Sequence, residues 1–151
     1  MKDSKKPVLF YQRYFYCFSN FSSFKVEWKG VLWMTSEHAY QAAKFNDEKI
    51  VKEIRESISA HDSKKTAHKY RDLVREDWDD IKLKIMEKII EAKLAQHSFI
   101  QKRLKETKNR EIIEDSSKDS FWGWGPDKKG ENHLGKIWMK LRDETSSHNN
   151  Q

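Results

Sequence analysis

The residues best suited to chemistry lie in one short run, Ser36-Glu37-His38-Ala39-Tyr40-Gln41-Ala42-Ala43-Lys44-Phe45. Read as a helix, Glu37, Tyr40, Gln41 and Lys44 fall at i, i+3, i+4 and i+7 and share one polar stripe. Glu37 and Lys44 are then separated by about 10 Å along the axis, which is room enough to bracket a sugar ring. A carboxyl group gives or takes a proton. A lysine amine, once deprotonated, is a nucleophile. Tyr and Gln between the charges set the stripe apart from the Glu/Lys repeats of a plain solvated face. His38, Ala42 and Phe45 form a second stripe suited to packing.

A second unusual segment is Asp119-Ser120-Phe121-Trp122-Gly123-Trp124-Gly125, followed by Gly130-Glu131-Asn132-His133-Leu134-Gly135. Rings interleaved with glycines make a loop whose backbone approaches a ligand while its rings stack on one. The helix expected after Asn132 opens with backbone N–H groups suited to a phosphate. The bland alternative is a structural turn packed on Trp rings. No Lys-Ser/Thr element follows the glycines and no clear strand precedes them, so neither common nucleotide loop applies.

These segments need elements to hold them. Residues 8–18 are aromatic-rich and predict a strand or an extended buried segment. Phe24 to Trp28 and Val31 to Trp33 flank Lys29-Gly30, the pattern of a β-hairpin. Thr35 or Ser36 caps a helix from Glu37 to about Phe45. Asp47 caps a second helix to about Ser57, and Asp62 or Ser63 starts a third that ends near Val74. No Gly or Pro interrupts Trp78 to Leu104, where Ile81, Ile85, Ile89 and Ala92 recur at helical spacing. Its Lys82, Lys84, Lys88 and Lys93 read as a solvated face. Residues 115–131 read as a loop and 132–143 as a last helix. The expected fold is mainly α with minor β, as one domain over 8–143 with an N-terminal hairpin. Residues 1–7 and 144–151 are expected to be flexible tails.

The chain has 151 residues, the length of one domain. Its 13% aromatic content supplies large buried rings and argues against disorder. A lone cysteine, Cys17, excludes an internal disulfide and reads as a core residue. The absence of repeated Cys/His spacing points away from zinc and towards a reducing compartment, so a cytoplasmic location is expected. No apolar run is long enough to span a bilayer, and no leader core is expected, since Arg13 interrupts the stretch after the charged N-terminus. The net charge of +6 favours an anionic ligand or partner. None of the histidines forms an HxxxH pair, so neither a metal nor another cofactor is expected.

Four blocks of residues resemble the NADAR/YbiA-like family. They are Phe18-Ser19-Asn20-Phe21; Gly30-Val31-Leu32-Trp33 with Ser36 to Phe45; Trp78 with Met86; and Asp119 to Gly123 with Gly130 to Gly135 and Met139-Lys140-Leu141-Arg142. Together they span roughly residues 10–143. The resemblance implies a compact helical fold and an N-glycosidase. It implies a substrate with a phosphorylated ribose on an exocyclic nitrogen: a riboflavin-synthesis intermediate, or an ADP-ribosylated guanine in nucleic acid. By position it implies catalytic roles for Glu37, Lys44 and Asp119, with Lys44 as a Schiff-base lysine. Asn20, Phe21, Trp78, Trp122, Gly123 and Asn132 would bind substrate. Two other readings stand beside it. One is a non-catalytic module for ADP-ribose or nucleotides, which would not need Glu37 and Lys44 together. The other is a basic nucleic-acid-binding protein, which predicts steeply salt-dependent binding to plain strands.

Overall fold

The structure, a computed structural model, describes residues 6–11 and 13–149. In chain order the elements are β1 (Val8–Phe10), a 3₁₀ segment (Arg13–Phe18), β2 (Val26–Trp28), β3 (Val31–Trp33), α1 (Ser36–Ala42), α2 (Glu48–Arg55) and α3 (Ala60–Lys69). A 3₁₀ turn (Arg71–Leu73), α4 (Trp78–Gln96), α5 (Ser98–Glu106), β4 (Ile112–Glu114) and α6 (His133–Asn149) follow. The fold is mainly α with a small β content, as expected. The chain forms two units, Asn20–Gln96 and the described residues on either side of it.

Within Asn20–Gln96, β2 and β3 make the expected antiparallel hairpin, Val26 opposite Trp33 and Trp28 opposite Val31. Lys29 and Gly30 both take positive φ, 53° and 77°, which matches the strand twist in a two-residue turn. Helix α1 follows at once. Thr35 is its N-cap, and its Oγ1 accepts from the His38 N–H at 3.1 Å. The helix stops at Ala42, short of Phe45. Lys44 and Phe45 continue as tighter turns, donating to the carbonyls of Gln41 and Ala42. Asp47 caps α2 through the Lys49 N–H, as expected.

Further helix boundaries differ from the reading of the sequence. Ser59, not Asp62 or Ser63, caps α3. Its hydroxyl accepts from the Asp62 N–H and donates to the Asp62 carboxylate. That helix ends at Lys69, and a 3₁₀ turn carries the chain to Leu73. The expected continuous helix from Trp78 to Leu104 breaks at His97, whose backbone is extended. Gln96 explains where α4 ends: its amide exchanges hydrogen bonds of 2.7 and 2.8 Å with the Glu27 backbone, completing the exposed edge of β2. The buried stripe of α4 is Met86, Ile89, Ile90 and Lys93, with Ile81 and Ile85 only half-buried. Lys93 is therefore not on a solvated face but fully buried.

In the other unit the aromatic segment becomes a three-residue strand and a 3₁₀ segment. β1 pairs in parallel with β4, Val8 opposite Ile112 and Phe10 opposite Glu114. Phe10, Phe18 and Trp138 pack edge to face or tilted, and the Trp138 indole donates to the Phe18 carbonyl at 3.0 Å. Cys17 is buried in this unit, as a core residue should be. Helix α6 runs to Asn149 instead of stopping at 143, since no Gly or Pro follows Gly135 to end it. Of the expected tails, 1–7 and 144–151, residues 1–5 and 150–151 lie outside the described residues.

Gly135 is where α6 meets β4. A Cβ there would lie 2.1 Å from the Ile112 carbonyl oxygen and 2.5 Å from the Asn132 amide. Backbone cannot retreat as a side chain can. Gly135→Ala is expected to cost at least about 1–3 kcal/mol, read as a lower urea midpoint. An unchanged midpoint would show that α6 slides off β4 freely.

Candidate active site

The chemistry-bearing stripe is not a solvated face. All seven residues of α1 are buried, because the helix packs against α2, α3 and α4 at once. Glu37 is 6% exposed and Gln41 3%.

Asn20 sets the start of this helix. Its carbonyl accepts from the Glu37 N–H at 3.1 Å, and its side-chain oxygen accepts from the Ser36 hydroxyl at 3.0 Å. The amide nitrogen reaches the Met86 sulfur on α4 at 3.4 Å. Below it, the buried Lys93 donates to the Ser22 and Ser36 hydroxyls at 3.1 and 3.4 Å. A buried amine needs such hydrogen-bond partners. Asn20 thus holds α1 to α4, and Lys93 belongs to the same polar network. The sequence reading missed Lys93, although Met86, Ile89, Ile90 and Lys93 at i, i+3, i+4 and i+7 was the available signal.

Glu37 and Gln41 form a pair. The Gln41 amide nitrogen donates to the Glu37 carboxylate at 2.7 Å. A carboxylate only accepts, so this bond fixes which way the amide points. The other end, Gln41 Oε1, is buried without a hydrogen-bond partner. Such an acceptor costs about 1–3 kcal/mol unless a donor arrives. A sugar hydroxyl is a donor of the right kind.

One turn further, Lys44 is half-buried, with its Nζ 5.4 Å from the Tyr40 ring centre. Tyr40 in turn packs on the buried Trp78 at 5.2 Å. The Lys44 carbonyl accepts from the Arg75 N–H, which ties this turn to the chain entering α4 and so to Trp78. Burial holds the Lys44 amine below the ordinary lysine range. The Glu37 carboxylate opposes that shift, and the Lys64 and Lys82 ammoniums add to it. The result is an amine more readily deprotonated than a surface lysine. A cavity of about 400 Å³ opens against Lys44 and Gln41. Phe21, also in this unit, is half-buried.

His38 faces away into packing, as its stripe suggested. Its two ring nitrogens are spent on Thr35 Oγ1 at 2.7 Å and the Ser57 carbonyl at 3.0 Å. Burial lowers its pKa, against the smaller raising effect of the Ser57 hydrogen bond.

Asp119, Trp122, Gly123 and Asn132 lie in the other unit. The Asp119 carboxylate accepts from the Phe121 and Trp122 N–H groups, at 3.0 and 2.8 Å, and shapes the loop. Asn132 joins loop to strand, accepting from the Glu114 N–H and donating to the Ile112 carbonyl. Trp122 is half-buried, edge-on to Phe121. The expected phosphate site at the start of α6 is not open: the His133 and Leu134 N–H groups already donate to the Phe121 and Trp122 carbonyls. Among the described residues, no cluster of three His, Cys, Asp or Glu side chains is placed to hold a metal. Nor is any helix among them long and apolar enough to cross a membrane.

Comparison with known proteins supports the resemblance. The chain is 35% identical over 127 residues to N-glycosidase YbiA of Shigella boydii, covering 84% of this chain and 79% of that protein. It is 33% identical over 146 residues to a riboflavin biosynthesis protein of Vibrio vulnificus, covering 95% of this chain but 40% of that one. Its structure matches the NMR structure of the E. coli protein YbiA with a TM-score of 0.86 at 33% identity, over 96% of this chain and 88% of the other. The NADAR domain model matches residues 9–146, nearly the full length, and the chain belongs to the NADAR domain family.

Proposed function

We propose that this protein is a cytoplasmic N-glycosidase that hydrolyses the bond between a phosphorylated ribose and an exocyclic nitrogen. The observation that carries the reading is the Lys44 amine, held below its usual pKa, on a cavity shared with the Glu37-bound Gln41. The names of the Shigella and Vibrio relatives agree with it.

An aminoribose opens to an imine at its anomeric carbon. Neutral Lys44 Nζ adds to that carbon, forming a C–N bond. The departing nitrogen takes a proton, with Glu37 as the shuttle, and its C–N bond breaks. The sugar is left as an imine on Lys44. Water then adds, the lysine leaves, and the free sugar phosphate and amine are restored. Gln41 Oε1 would accept from a sugar hydroxyl, and Trp78 would back the site through Tyr40.

The test is incubation with two substrates, a phosphorylated riboflavin-synthesis intermediate and an ADP-ribosylated guanine. Ribose phosphate release from the first, or ADP-ribose release from the second, is the expected outcome. Binding of either without release of sugar would sink the enzymatic reading and leave a binding module.

A further inference from the structure

Helix α3 presents His61, Lys64, Lys65 and His68 at i, i+3, i+4 and i+7, a single face at helical spacing, with Arg71 one turn beyond. All five line the cavity that Gln41 and Lys44 close at its buried end. No carboxylate lines it. Two acidic groups on or beside α3 are engaged elsewhere: Asp62 pairs with the Ser59 cap, and Glu53 takes Lys69 at 3.0 Å. Among the described residues, Lys64, Lys65 and Arg71 make no ion pair. Arg71 is instead pinned by its Nη1 to the His68 carbonyl at 3.1 Å. Three cations and the Lys44 amine thus converge on one hollow whose lining holds no carboxylate. Such convergence is unfavourable until an anion enters.

We propose that the α3 face is a phosphate subsite, in which Lys64, Lys65 and Arg71 hold the phosphate of a phosphosugar while Gln41 and Lys44 meet its sugar. Arg71 and the two lysines supply donors of the kind phosphate oxygens accept. The cavity is of a size that takes a small sugar phosphate. The subsite deepens the N-glycosidase reading and rests on it for the sugar's orientation. The anion could be a phosphate monoester or a diphosphate.

Calorimetry with ribose 5-phosphate, ribose and inorganic pyrophosphate tests this without any turnover. The proteins are the wild type, the double variant K64A/K65A, Arg71→Ala, and Lys52→Ala on α2 as control. All four positions are exposed, so thermal midpoints should stay together. Ribose 5-phosphate is expected to bind the wild type and to weaken about tenfold or more in K64A/K65A and in Arg71→Ala. Lys52→Ala should match the wild type. Ribose alone should bind weakly and equally to all four. Pyrophosphate binding tighter than ribose 5-phosphate would mark a diphosphate substrate. Absence of ribose 5-phosphate binding to the wild type, or equal affinity in all four proteins, overturns the subsite. Phosphate binding that the variants weaken, with no cleavage of either riboside, would keep the subsite and remove the glycosidase. Cleavage with an unchanged KM in the variants would do the reverse.

Discussion

Lys44→Ala is expected to lower kcat/KM by on the order of a thousandfold or more, about 4 kcal/mol of lost barrier reduction. The side chain that disappears is half-buried and, among the described residues, makes no hydrogen bond or ion pair, so the melting midpoint should move little. Lys44→Arg should be as inactive as the alanine variant. A guanidinium keeps the charge but does not deprotonate in this range. The pH profile carries the same information. Burial favours the neutral amine, so the pKa in the folded protein lies below that of an ordinary lysine. Activity should therefore rise as pH is raised through that depressed value and level off before the ordinary lysine range. A limb that begins only where surface lysines titrate would exclude Lys44 as the nucleophile.

Glu37→Gln is expected to lower kcat by about 10²–10⁴-fold, the usual span for a lost proton shuttle. The substitution is mild in structure, because a glutamine oxygen still accepts from the Gln41 amide. It also makes a second, opposite prediction. The Glu37 carboxylate raises the Lys44 pKa against the larger effect of burial. Its removal should move the rising limb of the pH profile to lower pH, even as the plateau falls. A lower plateau with an unmoved limb would mean that Glu37 and Lys44 do not act on one site. Stopped assays of released sugar phosphate over a pH series give both quantities.

Much of this arrangement was legible in the sequence where its cause is local. Lys29-Gly30 announces the hairpin because both positions take positive φ. Thr35 and Asp47 announce helix starts because their side-chain oxygens take up unpaired N–H groups. The Glu37-to-Lys44 stripe was visible as spacing alone. What remained hidden was set by distant partners. Nothing near His97 stops a helix; Gln96 is held by Glu27. β1 and β4 are three residues each, and their pairing joins segments a hundred positions apart. Lys93 looks like its solvated neighbours until the stripe of Met86, Ile89 and Ile90 is continued to it. His61, Lys64, Lys65 and His68 read as an ordinary charged helix face, and only packing against α1 turns that face towards Lys44.

In the loop after β4, the residue types were legible in the sequence, but the backbone hydrogen bonds they make were not. Asp119 and Asn132 are engaged with backbone, as is usual for short polar side chains beside glycines. The open helix terminus expected after Asn132 is filled by the loop's own carbonyls. A sequence shows that N–H groups will be free at a helix start, but not which carbonyls fold back onto them.

The proposed mechanism takes the sugar through a covalent imine on the Lys44 amine. Borohydride added during turnover reduces such an imine to a stable secondary amine. Peptide mass mapping should then find one sugar phosphate, or one ADP-ribose, on Lys44, and no adduct in Lys44→Ala. Brisk turnover with Lys44 unmodified under borohydride, or an adduct on any other residue, would rule out an imine on Lys44.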